Sequence, residues 1–278
     1  MKYEKKKLLE NTSIYFEIRN IYYRLIDVYF NIDKHIRLLF SNNKYEKLRK
    51  LKGKYEGERC FIIATGPSLD TADLDLLKNE ICFGCNSIVG AYGSTEWRPR
   101  FYGIQDLGVY KKLKDKIDYK QYDYFFYGSL IENSLLIDAD NVIGYPLNLL
   151  GHTVALFKGD IDHIHYGFSE KCEIEVVDGF SITYSLFQIA IYLGFKEIIF
   201  LGQDCNYSSD GSQQHFMGDR IKTKTNPHWK VSGKLICNAF EYAKPFCDKH
   251  NIKVLNATRG GMFDVFPRVK LEDIVQSE

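Results

Sequence analysis

A chain of 278 residues with 45% apolar side chains can hold one large α/β domain plus an appendage, or two small domains, with ample material for a core. A formal net charge of +1 argues against a general affinity for nucleic acid, and no apolar run reaches the ~18 residues a membrane span needs. Seven cysteines, an odd number without regular spacing, argue for free thiols in a reducing cytosol rather than a disulfide framework.

The charge is unevenly spread. Residues 1–54 carry 14 Lys/Arg against 6 Asp/Glu, so the basic character belongs to the N-terminus. Within it, Ile14, Ile18, Ile21, Tyr22, Leu25, Val28, Tyr29, Ile32, Ile36 and Leu39 fall near a 3.6-residue period, which predicts an amphipathic helix over residues 12–40. Such a helix packs on the body of the protein or on a second copy, or lies on an anionic membrane surface. Asp27 and Asp33 interrupt its basic face and favour packing. Ser41–Glu58 reads as a polar, lysine-rich linker or exposed short helix. The expected division is a basic helical extension over residues 1–54 and one larger domain over residues 55–278.

Cys60–Ala64 is a short apolar run, β-branched at its centre, which suits a strand buried on both faces. It stops at Thr65-Gly66-Pro67-Ser68, where Gly66 can adopt angles closed to other residues and Ser68 can cap the helical segment starting at Thr71. Strand, glycine turn and helix start form the layout that aims free backbone N–H groups at a phosphate, although an ordinary βα turn has the same form. The turn is neither a Walker loop nor the dinucleotide Gly-x-Gly-x-x-Gly. Further strands are expected over Ile81–Val89, ending near Asn86-Ser87, over Arg100–Asp106, Tyr124–Gly128 and Asn141–Tyr145. Cys82-Phe-Gly-Cys85 has the C-x-x-C form but sits in a strand without a second pair, so it reads as structural.

Residues 145–178 are punctuated by Pro146, Gly151, Gly159 and Gly167 and carry His152, His163 and His165, read as surface or hydrogen-bonded histidines. Gly179-Phe-Ser-Ile-Thr opens a helix running from Ile182 to Leu193, with Gly194 as its C-cap. A buried strand, Lys196–Leu201, leads into Gly202-Gln203-Asp204. The polar loop Ser208–Thr225 follows, with an Asp210-Gly211 turn and His215, then a helix over Lys234–Lys249 and a last strand at Lys253–Asn256. Alternating strands and helices predict a Rossmann-like, mostly parallel α/β sheet with flanking helices, which binds ligands at the carboxyl ends of its strands. Those ends collect Thr65-Gly66-Pro67-Ser68, Asn86-Ser87, Gln105-Asp106, Gly202-Gln203-Asp204 and Thr258-Arg259, which favours a nucleotide or phosphorylated ligand.

Gly66-Pro-Ser-Leu69 after an apolar strand, Cys85-Asn86, Phe101-Tyr102-Gly103 and Leu193-Gly-Phe-Lys-Glu-Ile-Ile-Phe-Leu-Gly-Gln-Asp204 together resemble two related groups. One is the bacterial sialyltransferases that use CMP-sialic acid. The other is the MptE-like family, grouped with the archaeal 6-hydroxymethylpterin pyrophosphokinase, whose bacterial members often sit in surface-polysaccharide and flagellin-glycosylation pathways. The resemblance covers roughly residues 57–260. It implies that Thr65, Gly66, Ser68, Asn86, Gly202, Asp204 and Tyr207 bind the nucleotide, Thr65 standing where the sialyltransferases carry Asn, and Pro67, Gln105, Asp106 and Gln203 join them by their place at the strand ends. It also implies His228, in Asn226-Pro-His-Trp, as general base, with His215 near the phosphate.

Three functions follow as expectations. The first is a metal-independent glycosyltransferase of bacterial surface glycans that uses a CMP-sugar and a glycan acceptor, with no cofactor required and no metal ligands. It would be cytoplasmic, with peripheral contact at the inner membrane face through residues 12–40, and a homo-oligomer is an open alternative. The second is a pyrophosphokinase acting on a hydroxymethylpterin-like substrate, with Asp204 and Asp106 holding Mg²⁺ between ATP phosphates. The third is a non-catalytic nucleotide-binding assembly protein anchored by the N-terminal helix.

Overall fold

The computed structural model describes residues 44–135, 137–152, 166–206, 216 and 229–275, with 21, 22, 25, 28, 29, 32 and 34–39 of the N-terminal segment. Seven strands form one parallel sheet: β1 (Arg59–Ile63), β2 (Cys82–Cys85), β3 (Phe101–Ile104), β4 (Tyr124–Gly128), β5 (Val142–Tyr145), β8 (Glu197–Leu201) and β9 (Lys253–Asn256). Their spatial order is β5-β4-β3-β2-β1-β8-β9, every neighbouring pair parallel. The order of addition reverses between β1 and β8, and a doubly wound sheet opens a crevice for ligands at such a point. Two-residue strands β6 (Leu147–Asn148) and β7 (Val176–Val177) pair separately.

Both faces of the sheet are covered, which is why its strands are unbroken apolar runs. One face packs Phe83, Phe101, Phe126 and Phe200 against the helix Ile182–Leu193 and the helix Trp229–Lys249. The other buries Phe61, Ile63, Tyr102, Phe125 and Ile199 beneath Leu74, Ile88, Trp97 and Leu271. Successive strand residues alternate faces, so Cys82 and Cys85, three apart, point to opposite sides and join different cores. That geometry denies the C-x-x-C pair a common metal or disulfide, in line with a structural reading.

The helices with described bounds, in chain order, are α1 (Glu46–Arg49), α2 (Thr71–Leu76), α3 (Leu107–Leu113), α4 (Ile182–Leu193), α5 (Trp229–Lys249) and α6 (Leu271–Val275). The α4 span and its Gly194 cap, at φ +104°, match the sequence expectation. Helix α5 starts five residues before the expected Lys234, and β2 stops at Cys85, where Asn86–Gly93 turns into 3-10 helix. The segment 44–58, expected as a linker or exposed short helix, does hold the short helix α1 but buries Tyr45, Leu48, Leu51 and Tyr55, with Tyr55 stacked on Phe195 at 5.0 Å. Its lysines masked an i, i+3 apolar stripe (Tyr45, Leu48, Leu51). The N-terminal residues described are helical, and Ile21, Leu25, Tyr29, Ile32 and Leu39 stay exposed. Among the described residues no helix is long and apolar enough to cross a membrane.

Candidate functional site

Carboxyl ends of β1, β2 and β8, with the first turn of α4, enclose a cleft lined by Thr65, Gly66, Pro67, Asn86, Ser181, Thr183 and Gly202–Asn206. The wall at the reversal point is one hydrogen-bonded unit. Ala64 N–H donates to Leu201 O at 2.9 Å, and Gly66 N–H donates to Gly202 O at 2.9 Å, so pairing of β1 with β8 continues beyond the strands. The turns can lie this close because neither carries a side chain at the crossing. A Cβ on Gly66 would stand 1.9 Å from Asp204 Oδ2 and 2.5 Å from Gly202 O. Gly202, at φ +68°, needs a conformation that glycine adopts freely.

Ser68 was expected to cap α2. The structure corrects this: Asp70 caps it, accepting from Ala72 N, with the buried Asp73 carboxylate returning to Asp70 N in a capping box. The helix starts at Thr71, so only the adjacent Asp70 reaches its free N–H groups. The Ser68 hydroxyl instead donates to Asp204 Oδ2 at 2.8 Å. Asp204 is 6% exposed, and burial raises its carboxyl above the ordinary aspartate value, against the opposing pull of the Ser68 bonds. Its carbonyl accepts from Met262 N–H at 2.7 Å, and Gly261 and Gly233 leave room for this turn.

Two buried polar atoms in the lining have no hydrogen-bond partner among the described residues: Asn86 Oδ1 and Gln203 Oε1. Asn86 is held at φ +46° and its carbonyl accepts from Tyr102 Oη–H at 2.7 Å. Gln203 is pinned by its N–H to Thr258 Oγ1 at 3.0 Å. Such orphans are costly unless a ligand satisfies them. On the opposite side, Ser181 caps α4, its hydroxyl accepting from Thr183 N–H, so the positive end of a twelve-residue helix dipole lines the cleft. One lining thus combines a helix N-terminus suited to an anion with the acceptors Asp204, Asn86 and Gln203.

Thr65, Gly66, Pro67, Asn86, Gly202, Gln203 and Asp204 are therefore gathered in one place, with Ser68 bound to Asp204. Gln105 and Asp106 lie on the same sheet edge outside this lining. Gln105 accepts from Tyr145 Oη–H at 3.0 Å and donates to Asp178 at 3.1 Å, while exposed Asp106 caps α3 through Val109 N–H at 2.7 Å. Tyr207, His215 and His228, like His163, His165 and the Asp210-Gly211 turn, lie outside the described residues. Arg259, a sequence candidate for the phosphate, forms a bidentate pair with Asp73. No group of three or more His, Cys, Asp or Glu among the described residues could hold a metal ion.

Sequence reasoning missed Ser181 and Thr183 as lining residues, though it placed the helix start. It also missed the link from Gln105 to Asp178 and on to His152, whose Nδ1 lies 3.1 Å from Asp178 Oδ2. Spacing along the chain carries no sign of either, since both depend on how α4 and the 145–178 segment fold back over the strand ends.

A family model described as 6-hydroxymethylpterin diphosphokinase MptE-like matches residues 33–210. Among solved structures, the chain is similar to the MAf glycosyltransferase from Magnetospirillum magneticum AMB-1, at 14% identity and a TM-score of 0.45 over 82% of this chain. The chain spans 38% of that protein's length. It is also similar to the sialyltransferase CstII from Campylobacter jejuni in complex with cytidine-5'-monophosphate, at 16% identity and a TM-score of 0.45, covering 77% of this chain and 85% of that one. The CstII complex with CMP-3FNeuAc matches at 15% identity and 0.44 over 76% and 86%. A search of curated proteins finds no match.

Proposed function

Since the chain belongs to the 6-hydroxymethylpterin diphosphokinase MptE-like family, we propose that it is a transferase working on a nucleotide-activated substrate, and that its donor is a CMP-sugar. The observation carrying this reading is a cleft at the sheet's reversal point whose lining joins the α4 N-terminus to Asn86 and Gln203, whose buried Oδ1 and Oε1 have no hydrogen-bond partner among the described residues. A mononucleotide complements that pattern: its phosphate suits the helix end, and its ribose hydroxyls and base amine suit the acceptors. In glycosyl transfer the acceptor hydroxyl loses its proton to a base as its oxygen attacks the anomeric carbon. The C–O bond to phosphate then breaks and CMP leaves with the electron pair. A neutral histidine suits that base, and the helix end stabilises the departing phosphate without a metal. His228, with His215 nearer the phosphate, is the sequence-derived candidate.

The acceptor in this reading is a bacterial surface glycan, with the enzyme in the cytoplasm and residues 12–40 in peripheral contact with the membrane. The family description favours a second reading, Mg²⁺-dependent pyrophosphoryl transfer from ATP; Asp204 follows β8 and Asp106 follows β3, three strands away, so the two carboxylates would not share one ion. A thermal-shift series against CMP, CDP, UDP, GDP and ATP, each with and without Mg²⁺, separates the two. Saturating CMP at ~100 Kd adds about 2.7 kcal/mol, or roughly 5–10 °C for a chain of this size. Stabilisation by ATP-Mg²⁺ alone overturns the CMP-sugar reading.

A further inference from the structure

A second polar system lies beside the cleft. Asp178, 5% exposed, accepts from Gln105 Nε2 at 3.1 Å on one oxygen and meets His152 Nδ1 at 3.1 Å with the other. Gln105 is fixed in turn by Tyr145 Oη–H, so each link is oriented by the next. Phe180 stacks on the imidazole, centroids 5.5 Å apart, and holds φ +65° to enter the turn before α4. Gly179 makes that turn feasible, since a Cβ there would stand 2.3 Å from the Tyr184 ring. Strained backbone of this kind, held by its surroundings, gathers at sites that use it. The imidazole is 43% exposed at the side chain, and its Nε2 has no partner among the described residues.

Position gives this pair a use. Gln105 follows β3, Asn86 follows β2 and Thr65 lies just beyond β1, so at ~4.8 Å per strand Gln105, to which Asp178 is bonded, stands roughly 10 Å along the edge from the β1 turn. Asp178 also lies three residues before the α4 cap that faces the phosphate end of the cleft. The sugar of a bound nucleotide-sugar lies beyond its phosphate, and the attacking hydroxyl lies beyond the sugar.

We propose that His152, held by Asp178, and not the sequence-derived His228, is the general base that takes the acceptor proton on Nε2 at the sugar end of the cleft, a proposal that rests on the glycosyl-transfer reading. The balance is simple. The acceptor O–H proton moves to Nε2, the oxygen bonds the anomeric carbon, and the bond from that carbon to phosphate oxygen breaks with its electrons leaving on CMP. Asp178 fixes the tautomer with N–H on Nδ1 and stabilises the imidazolium that forms, as a carboxylate does behind a catalytic histidine. Asp178 and, at longer range, Asp106 are the charged groups acting on the ring, and both raise its pKa.

The test uses the full chain, CMP-sialic acid as donor with water as acceptor, and CMP for binding. His152→Gln, at a half-buried site, should bind CMP within about twofold and keep the wild-type melting temperature at pH 9, where the ion pair with Asp178 has faded, while release of CMP falls by ~10²–10⁴-fold. Its rate should also lose the acid limb of the pH profile. Asp178→Asn should move that limb to lower pH. A His152→Gln rate within threefold of wild type, with the limb unchanged and CMP still bound, overturns the proposal and leaves the glycosyl-transfer reading standing. Wild-type protein that neither binds CMP nor releases it from CMP-sialic acid refutes that reading, and the proposal falls with it.

Discussion

Gly66→Ala tests whether the two turns at the reversal point are locked together. The added methyl would sit 1.9 Å from Asp204 Oδ2, a side-chain atom that could swing aside, but also 2.5 Å from Gly202 O, which is backbone and already bonded to Gly66 N–H. Relief therefore requires the β8 turn to withdraw by about 1 Å from the β1 turn. Overpacking of this kind costs about 1–3 kcal/mol. Withdrawal also weakens the Ser68–Asp204 bond, and hydrogen bonds to charged groups contribute about 1.5–3 kcal/mol. Because the bond is weakened rather than removed, the expected total is about 2–4 kcal/mol. For a chain of this size that lowers the melting temperature by roughly 4–16 °C. CMP affinity should fall in parallel, because Gln203 and Asp204 move with the turn. Gly93→Ala is the control: no atom lies within 4 Å of its Cβ position and its φ is not left-handed, so it should be neutral or slightly stabilising. Urea denaturation and CMP calorimetry on the three proteins decide the matter. Gly66→Ala within 2 °C of wild type, with CMP affinity intact, would refute the idea of a locked crossing.

Gln188 is fully buried in α4 and accepts from Ser169 N–H and Val177 N–H at 3.1 Å, while donating to Val177 O at 2.8 Å. Gln188→Ala orphans these backbone groups and should cost about 3–5 kcal/mol by urea titration, and a loss under 1 kcal/mol would contradict the clamp. His152 has its pKa raised chiefly by the hydrogen bond to Asp178, so this ion pair stabilises fully below the unfolded value near 6.5 and fades as pH rises through the higher folded value. The stability gap between wild type and His152→Gln should therefore be larger at pH 5.5 than at pH 9, and a constant gap argues against the pair. Cys237 is the one cysteine not fully buried, and a hydrogen bond from the Cys205 thiol lowers its pKa, whereas burial pushes Cys85 up to about 12. A native-state thiol reagent should modify Cys237 first and the others only on unfolding, as peptide mapping would reveal.

Where local pattern decides structure, the sequence was readable. Ser181 to Gly194 carries a cap, an apolar body and a glycine stop, and it folds as such. The apolar strands and their glycine-rich ends implied a buried parallel sheet with its ligand edge, and seven of the expected site residues do meet there. What escaped was set by long-range packing. Ser68 was read as the helix cap, and the approach of Asp204, 136 residues away, assigns it elsewhere and leaves the cap to Asp70. Gln105 looked like a strand-end ligand group, but the partners that occupy it, Tyr145 and Asp178, come from other segments. The burial of Leu48 and Leu51 was hidden by the lysines between them, whose long stems let charge sit beside a core.

The recognisable segment and the operative one are not the same length. The family model ends at residue 210, yet the carbonyl of Asp204 is held by the N–H of Met262, and the N–H of Gln203 by Thr258. A fragment cut at the edge of the family match would keep Gly66, Asn86 and Asp204 while losing the braces that hold the β8 turn against them. Its signature would be intact to any reader of motifs, and its cleft would have one wall unsupported.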